Sequence, residues 1–127
     1  MKKKILIIDD DPDIIEASRL FLEYNGFEVY TETDPGEGVR SFIENKPDLL
    51  ILDVIMNEPD EGFFLAKKFK KLDPDIPIII YSSVSSALGY DFGKNEIVSA
   101  DVFIDKPAEP SLLLDSINRL LKKESNE

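Results

Sequence analysis

Short, mostly apolar runs alternate with longer amphipathic stretches along the whole chain, and this alternation limits the possible folds more than any other feature. The runs cover residues 5–8, 27–31, 49–52, 78–81 and 101–104. Compact, mostly apolar runs of this kind predict strands, and the run at 49–52 has no polar residue, as expected of a strand that is covered on both faces. Strands that alternate with helices form parallel sheets with right-handed crossovers. We therefore predict an α/β fold: a doubly wound, five-stranded parallel sheet with helices on both faces.

The start signals of the first two helices repeat. Asp11 and Asp34 are each followed by Pro, and Asp is a preferred N-cap while Pro fits the first helical turn. Helical spacing of apolar residues predicts further helices over 63–72 and 112–121. Residues 84–99 are the least regular part, because each of the two glycines there weakens a helix by roughly 1 kcal/mol relative to alanine.

Composition excludes several functions. A chain of 127 residues fits one domain. It has no Cys, which excludes disulfides and thiolate sites, and no His, so any phosphohistidine in its biology belongs to a partner. The formal net charge of −11 argues against direct binding of nucleic acid or anionic membranes. No apolar run approaches the roughly 20 residues of a membrane span, so a cytoplasmic protein is expected.

Polar residues concentrate where the predicted strands end. In a parallel doubly wound sheet these ends share one edge, which is where ligands bind. The residues are Asp9, Asp10 and Asp11 after the first strand, Asp53 after the third, Ser82 after the fourth and Lys106 after the fifth.

These residue types suit phosphoryl chemistry. Clustered carboxylates repel one another unless a cation neutralises them, and an all-oxygen donor set favours Mg²⁺. Lys106 would add a positive charge for a phosphoryl oxygen, and Ser82 a hydroxyl. Asp53 is then the natural nucleophile, since carboxylates form acyl phosphates.

Each of these residues also has an ordinary structural interpretation. The aspartates after the first strand could serve only as a helix cap and first-turn anions, although that explains one aspartate rather than three. Asp53 could be a solvated loop acid, Ser82 could satisfy local backbone, and Lys106 could be a surface lysine.

Four segments in order resemble the receiver domains of bacterial response regulators: ILIIDDDP at 5–12, PDLLILDVIM at 47–56, PIIIYSS at 77–83 and KP at 106–107. The resemblance covers residues 3–123 and leaves 124–127 as a polar tail. It implies the flavodoxin-like strand order 2-1-3-4-5.

The resemblance also implies roles for individual residues. Asp53 would accept a phosphoryl group from the phosphohistidine of a sensor histidine kinase or phosphotransfer protein. Asp10 would bind Mg²⁺ directly, Asp9 would act through water, and the backbone carbonyl of Ile55 would be a further ligand. Lys106 would bind the phosphoryl group. Such a chain is not an enzyme for other substrates, since it catalyses only its own phosphorylation and dephosphorylation.

The switch and the output follow from the same resemblance. Ser82 takes the place of the family's switch Thr or Ser, and Phe103 falls where the family has its rotating aromatic residue, although a buried strand aromatic is the ordinary interpretation. Signalling would use the face formed by the fourth helix, the fifth strand and the fifth helix. No DNA-binding module follows, so output is expected through a downstream protein, or else the chain is part of a longer one.

The sequence departs from the family pattern at several positions. Asn57 replaces the usual Pro, Gly62 comes one residue late, and Ala108 stands where an aromatic residue is usual. Ile55 and Val84 occupy positions whose side chains flank the phosphoryl group in the family. Because both are apolar here, slow self-dephosphorylation is expected.

Two other functions stay open. A degenerate receiver would act as a phosphorylation-independent interaction module, against which the intact acidic residues, Ser82 and Lys106 argue. A phosphatase with an Asp nucleophile usually has an Asp-x-Asp pair after its first strand, which Asp9–Asp11 could mimic, but so small a chain has no cap domain. Flavin binding is disfavoured, because the acid-rich loop would repel the phosphate of the cofactor.

Overall fold

The structure is a computed structural model, and it describes residues 2–53, 61–82, 101–105 and 109–125. Within these ranges lie five strands and four helices, numbered here in chain order. The strands are β1 (Lys4–Ile8), β2 (Glu28–Glu32), β3 (Leu49–Leu52), β4 (Ile78–Ser82) and β5 (Val102–Asp105). The helices are α1 (Pro12–Tyr24), α2 (Pro35–Asn45), α3 (Glu61–Leu72) and α4 (Pro110–Ser125), of which α4 is the predicted closing helix. The irregular segment 84–99, where a further helix was expected, lies outside the described residues.

All neighbouring strands are parallel, and their order is β2-β1-β3-β4-β5. Both the fold class and the strand order predicted from the sequence are therefore confirmed. In the register of the sheet, Ile8 lies opposite Leu52 on one side and Glu32 on the other. The chain thus leaves β1, β2 and β3 at the same edge of the sheet.

The core consists of two apolar layers, one on each face of the sheet. Successive side chains of a strand point to opposite faces. On β3, Leu50 and Leu52 pack with α2 and α3, whereas Leu49 and Ile51 pack with α1 and α4. All four are almost completely buried, which confirms that this strand is covered on both faces.

The two helix starts predicted from the Asp-Pro pairs are confirmed, and the other two helices are longer than predicted. Asp11 and Asp34 are the N-caps of α1 and α2, each with Pro in the first turn. Helix α3 begins at Glu61 rather than 63, and α4 runs from Pro110 to Ser125, which includes two residues of the predicted tail. The extension of α4 is rich in lysine and glutamate, whose long side chains favour helices.

At the opposite edge of the sheet, where the strands begin, two aspartates bind the first residues of neighbouring strands. Asp48 precedes β3 and accepts the backbone N–H of Lys4 at 2.8 Å. Asp101 precedes β5 and accepts the backbone N–H of Ile78 at 2.8 Å, together with the Lys70 Nζ at 3.1 Å. Each carboxylate therefore accepts a backbone N–H at the start of a strand, where the neighbouring strand offers no further carbonyl.

Helix α2 lies unusually close to β1 at a glycine. A Cβ atom built on Gly38 would lie 2.4 Å from Cδ1 and 3.0 Å from Cγ1 of Ile8. Ile8 is fully buried and immediately precedes Asp9, so its side chain has little room to move. The absence of a side chain at Gly38 thus lets the helix cover the end of β1.

We expect Gly38→Ala to lower the free energy of unfolding by up to about 2 kcal/mol, because overpacking outweighs the gain in helix propensity. Ile8→Val, which removes Cδ1, should lower the free energy of unfolding by roughly 1 kcal/mol in the native chain. In a chain that already carries Gly38→Ala, it should lower it by clearly less. Denaturant unfolding of both single variants and the double variant measures this coupling. Additive effects of the two substitutions would contradict the proposed contact.

Candidate functional site

Three carboxylates meet at the edge of the sheet where the strands end. Asp9 and Asp53 are buried, at 2% and 7% exposure, and Asp10 is exposed. One carboxylate oxygen from each lies within 4.8 Å of the others. Asp9 and Asp53 directly follow paired residues of neighbouring strands, so the register of β1 against β3 accounts for their proximity.

Backbone hydrogen bonds extend the sheet by one residue into this site. The N–H of Asp53 donates to the carbonyl of Ile8 at 3.0 Å, and the N–H of Asp9 donates to the carbonyl of Glu32 at 3.2 Å. Both buried acids are therefore attached to the sheet through their own main chain. Side chains that start from such a rigid scaffold are more precisely placed than those on a free loop.

The three consecutive aspartates after β1 have different structural roles. Asp11 accepts the N–H groups of Asp13 and Ile14 and so caps α1, while its own N–H donates to Oδ1 of Asp9 at 2.9 Å. The structural interpretation is thus correct for Asp11, which is not part of the carboxylate group formed by Asp9, Asp10 and Asp53.

The donor set fits a small divalent cation. Two full negative charges about 4.8 Å apart repel by roughly 3 kcal/mol at an effective dielectric near 20, and the buried positions of Asp9 and Asp53 add a desolvation cost. Opposite ligands of Mg²⁺ lie about 4.2 Å apart, twice its usual bond length. Oxygens within 4.8 Å of one another can therefore surround such an ion through a mixture of direct and water-mediated contacts.

One further acid, Glu32, is joined to the site through its backbone carbonyl. Glu32, whose carbonyl holds Asp9, is partly buried, and this burial raises the pKa of its carboxyl, with smaller contributions from the negative charges of Glu37, Asp34 and Glu44. Two of these acids, Asp34 and Glu37, belong to the start of α2, so the start of this helix makes the surroundings of Glu32 more negative.

The structure places the other predicted site residues only in part. The backbone of Ser82 ends β4 opposite Asp105, and that of Phe103 lies in β5 opposite Ile80. Lys106 and Ile55 lie outside the described residues, as do Val84, Asn57 and Ala108. The predicted proximity is therefore observed for Asp9, Asp10 and Asp53.

Sequence reasoning did not anticipate the bond from the Asp11 N–H to Asp9 or the contribution of Glu32. The repeated Asp-Pro pair indicated that Asp11 caps α1, but it did not indicate that the backbone N–H of Asp11 donates to Asp9. The Glu32 carbonyl could have been inferred only from the register of β2 against β1.

A family model described as "Response regulator receiver domain" matches residues 5–118. The chain belongs to this family. Among curated relatives, the transcriptional regulatory protein PrrA of Mycobacterium tuberculosis is 32% identical over 120 residues, and the response regulator SaeR of Staphylococcus aureus is 32% identical over 119 residues. Each alignment covers 94% of this chain but 50% of the relative, so the chain spans about half the length of these proteins.

Solved receiver domains have the same fold. A CheY-like receiver domain protein from Methanospirillum hungatei superposes with a TM-score of 0.84 at 27% identity, covering 99% of this chain and 98% of that one. A receiver domain protein from Clostridium thermocellum gives a TM-score of 0.84 at 29% identity, with 97% of both chains covered. The prediction of a two-component receiver domain is confirmed.

Among the residues that the structure describes, no helix is both long and apolar enough to cross a membrane.

Proposed function

We propose that this receiver domain accepts a phosphoryl group on Asp53 from a phosphohistidine of a sensor histidine kinase or phosphotransfer protein, in a reaction that requires Mg²⁺. The observation that supports this most directly is the position of the Asp53 carboxylate, which is buried and within 4.8 Å of the carboxylates of Asp9 and Asp10. A buried acid beside two further acids lowers the stability of the fold. Clusters of this kind are therefore typical of functional sites.

In the proposed reaction, an oxygen of Asp53 attacks the phosphorus of the donor. The new bond joins this oxygen to phosphorus, the phosphorus–nitrogen bond to the imidazole breaks, and the imidazole leaves as the neutral ring after taking up a proton. The product is an acyl phosphate on Asp53. The protein contributes mainly placement of the carboxylate and compensation of charge.

Asp9, Asp10 and Asp53 would hold the cation, with the backbone carbonyl of Ile55 as a further ligand implied by the family resemblance. When bound, Mg²⁺ neutralises charge on the carboxylates and the phosphoryl oxygens. Asp10, which is exposed, is the proposed direct ligand, whereas Asp9 already accepts the Asp11 N–H and would act through water.

The remaining parts of the proposal rest on the family resemblance. Lys106 would bind the phosphoryl group, and Ser82 and Phe103 would relay its presence to a protein-binding face that includes β5 and α4. Residues 3–123 would form the receiver domain, acting in the cytoplasm, with a downstream protein as its target.

Acetyl phosphate with Mg²⁺ should phosphorylate the native chain, because a small acyl phosphate can replace the phosphohistidine donor. Asp53→Asn should abolish this labelling, and removal of Mg²⁺ with a chelator should reduce it by at least about 100-fold. Intact-protein mass spectrometry measures the product. Asp75→Asn, which removes an exposed carboxylate at the other edge of the sheet, is a control that should keep full labelling.

Equal labelling of Asp53→Asn and the native chain would contradict the assignment of the acceptor. If neither is labelled and beryllofluoride with Mg²⁺ changes nothing in either, the chain is a degenerate receiver that works as an interaction module. Hydrolysis of small phosphoesters at many turnovers would instead favour the phosphatase alternative.

The phosphorylated form should be long-lived, because the apolar side chains at Ile55 and Val84 offer no group to orient an attacking water. Ile55→Gln, which introduces an amide able to orient water, should shorten the half-life by roughly tenfold, whereas Ile55→Val should leave it nearly unchanged. Loss of label is followed by mass spectrometry after the donor is removed. A native half-life of seconds would contradict this expectation.

A further inference from the structure

Asp11 connects the start of α1 with the carboxylate group through four hydrogen bonds. Its side chain accepts the N–H of Asp13 at 3.0 Å and that of Ile14 at 3.4 Å, and its carbonyl accepts the N–H of Ile15 at 3.1 Å. Its own N–H donates to Oδ1 of Asp9 at 2.9 Å. One residue therefore joins the first turn of a helix to a buried site carboxylate.

The two ends of this connection depend on each other. The carboxylate of Asp11 favours an extended backbone, with φ −96° and ψ 105°, because an N-cap side chain typically reaches the helix donors from this conformation. The same torsion angles fix the direction of the Asp11 N–H relative to α1, and this N–H donates to Oδ1 of Asp9. Without the cap, other backbone conformations become accessible at residue 11, and the donor no longer holds Oδ1 of Asp9 in one place.

We propose that Asp11 is a positioning residue for the divalent-cation site, acting through its backbone N–H on Asp9 rather than as a ligand. The inference rests on the proposed function, since it assumes that Asp9, Asp10 and Asp53 bind Mg²⁺. Hydrogen bonds that orient metal ligands from outside the coordination sphere typically change metal affinity by about 10- to 100-fold when they are removed.

The charge of Asp11 offers a competing explanation, because any anion near the site attracts a cation. Substitutions at this one position separate the two. Asp11→Asn and Asp11→Ser remove the charge but keep a good N-cap, whereas Asp11→Ala removes both. Asp34 supplies the matched control: it caps α2 in the same Asp-Pro context and accepts the N–H of Glu37 at 3.0 Å, but it is not part of the carboxylate group.

The experiment measures Mg²⁺ affinity of the full chain by calorimetric titration, without any phosphoryl donor. Asp11→Ala should weaken binding by about tenfold or more, and Asp11→Asn, Asp11→Ser and Asp34→Ala by less than about threefold. Thermal unfolding in Mg²⁺-free buffer verifies that each variant is folded. Amide NMR supplies a second measurement. In Asp11→Ala the chemical shift of the backbone N–H at position 11 should move toward the value of a solvent-exposed amide, because the bond to Asp9 is weakened. In Asp11→Ser it should not.

Equal weakening by alanine, asparagine and serine at position 11 would overturn the proposal in favour of charge alone. Equal weakening by Asp34→Ala would overturn it in favour of general helix stability, and unchanged affinity in Asp11→Ala would also overturn it. In each of these cases the native chain still binds Mg²⁺ and the proposed function stands. Absence of Mg²⁺ binding to the native chain would instead remove the proposed function together with this inference.

Discussion

The pairing of β1 with β3 is the interaction on which the site depends. Ile8 and Leu52 are partners in register, and the N–H of Asp53 continues this pairing by donating to the Ile8 carbonyl at 3.0 Å. A shift of one residue would turn every side chain of the strand to the opposite face and remove the acids from one another. Burial of both faces of β3 makes such a shift very unfavourable, so the core fixes the geometry of the site.

The site itself opposes folding. Three carboxylates within 4.8 Å, two of them buried, repel each other and lose hydration. The protein offsets part of this with backbone donors, since the Asp11 N–H bonds Asp9, and with the positive end of the α1 dipole. A bound cation would offset more, so cation binding and stability should be linked.

The sequence predicted the layers of the fold and the proximity of Asp9, Asp10 and Asp53, because both follow from local patterns: apolar runs of strand length, Asp-Pro helix starts and polar residues at strand ends. It could not predict which of the three neighbouring aspartates caps the helix and which belong to the carboxylate group. Which carboxylate caps a helix and which enters the site depends on the backbone angles of Asp11, and those depend on tertiary packing. The close contact of Gly38 with Ile8 and the strand-end bonds of Asp48 and Asp101 likewise join residues that are remote in sequence.

In the proposed site, one cation compensates the charge of the three converging carboxylates. The most direct measurement compares the melting temperatures of the native chain and of Asp53→Asn over a range of Mg²⁺ concentrations. We predict that Asp53→Asn melts at a higher temperature than the native chain without Mg²⁺, because one repulsive charge is gone, and that it loses most of the stabilisation by Mg²⁺. Equal melting temperatures of the two proteins without Mg²⁺, together with equal gains on adding it, would show that the three carboxylates do not share one cation.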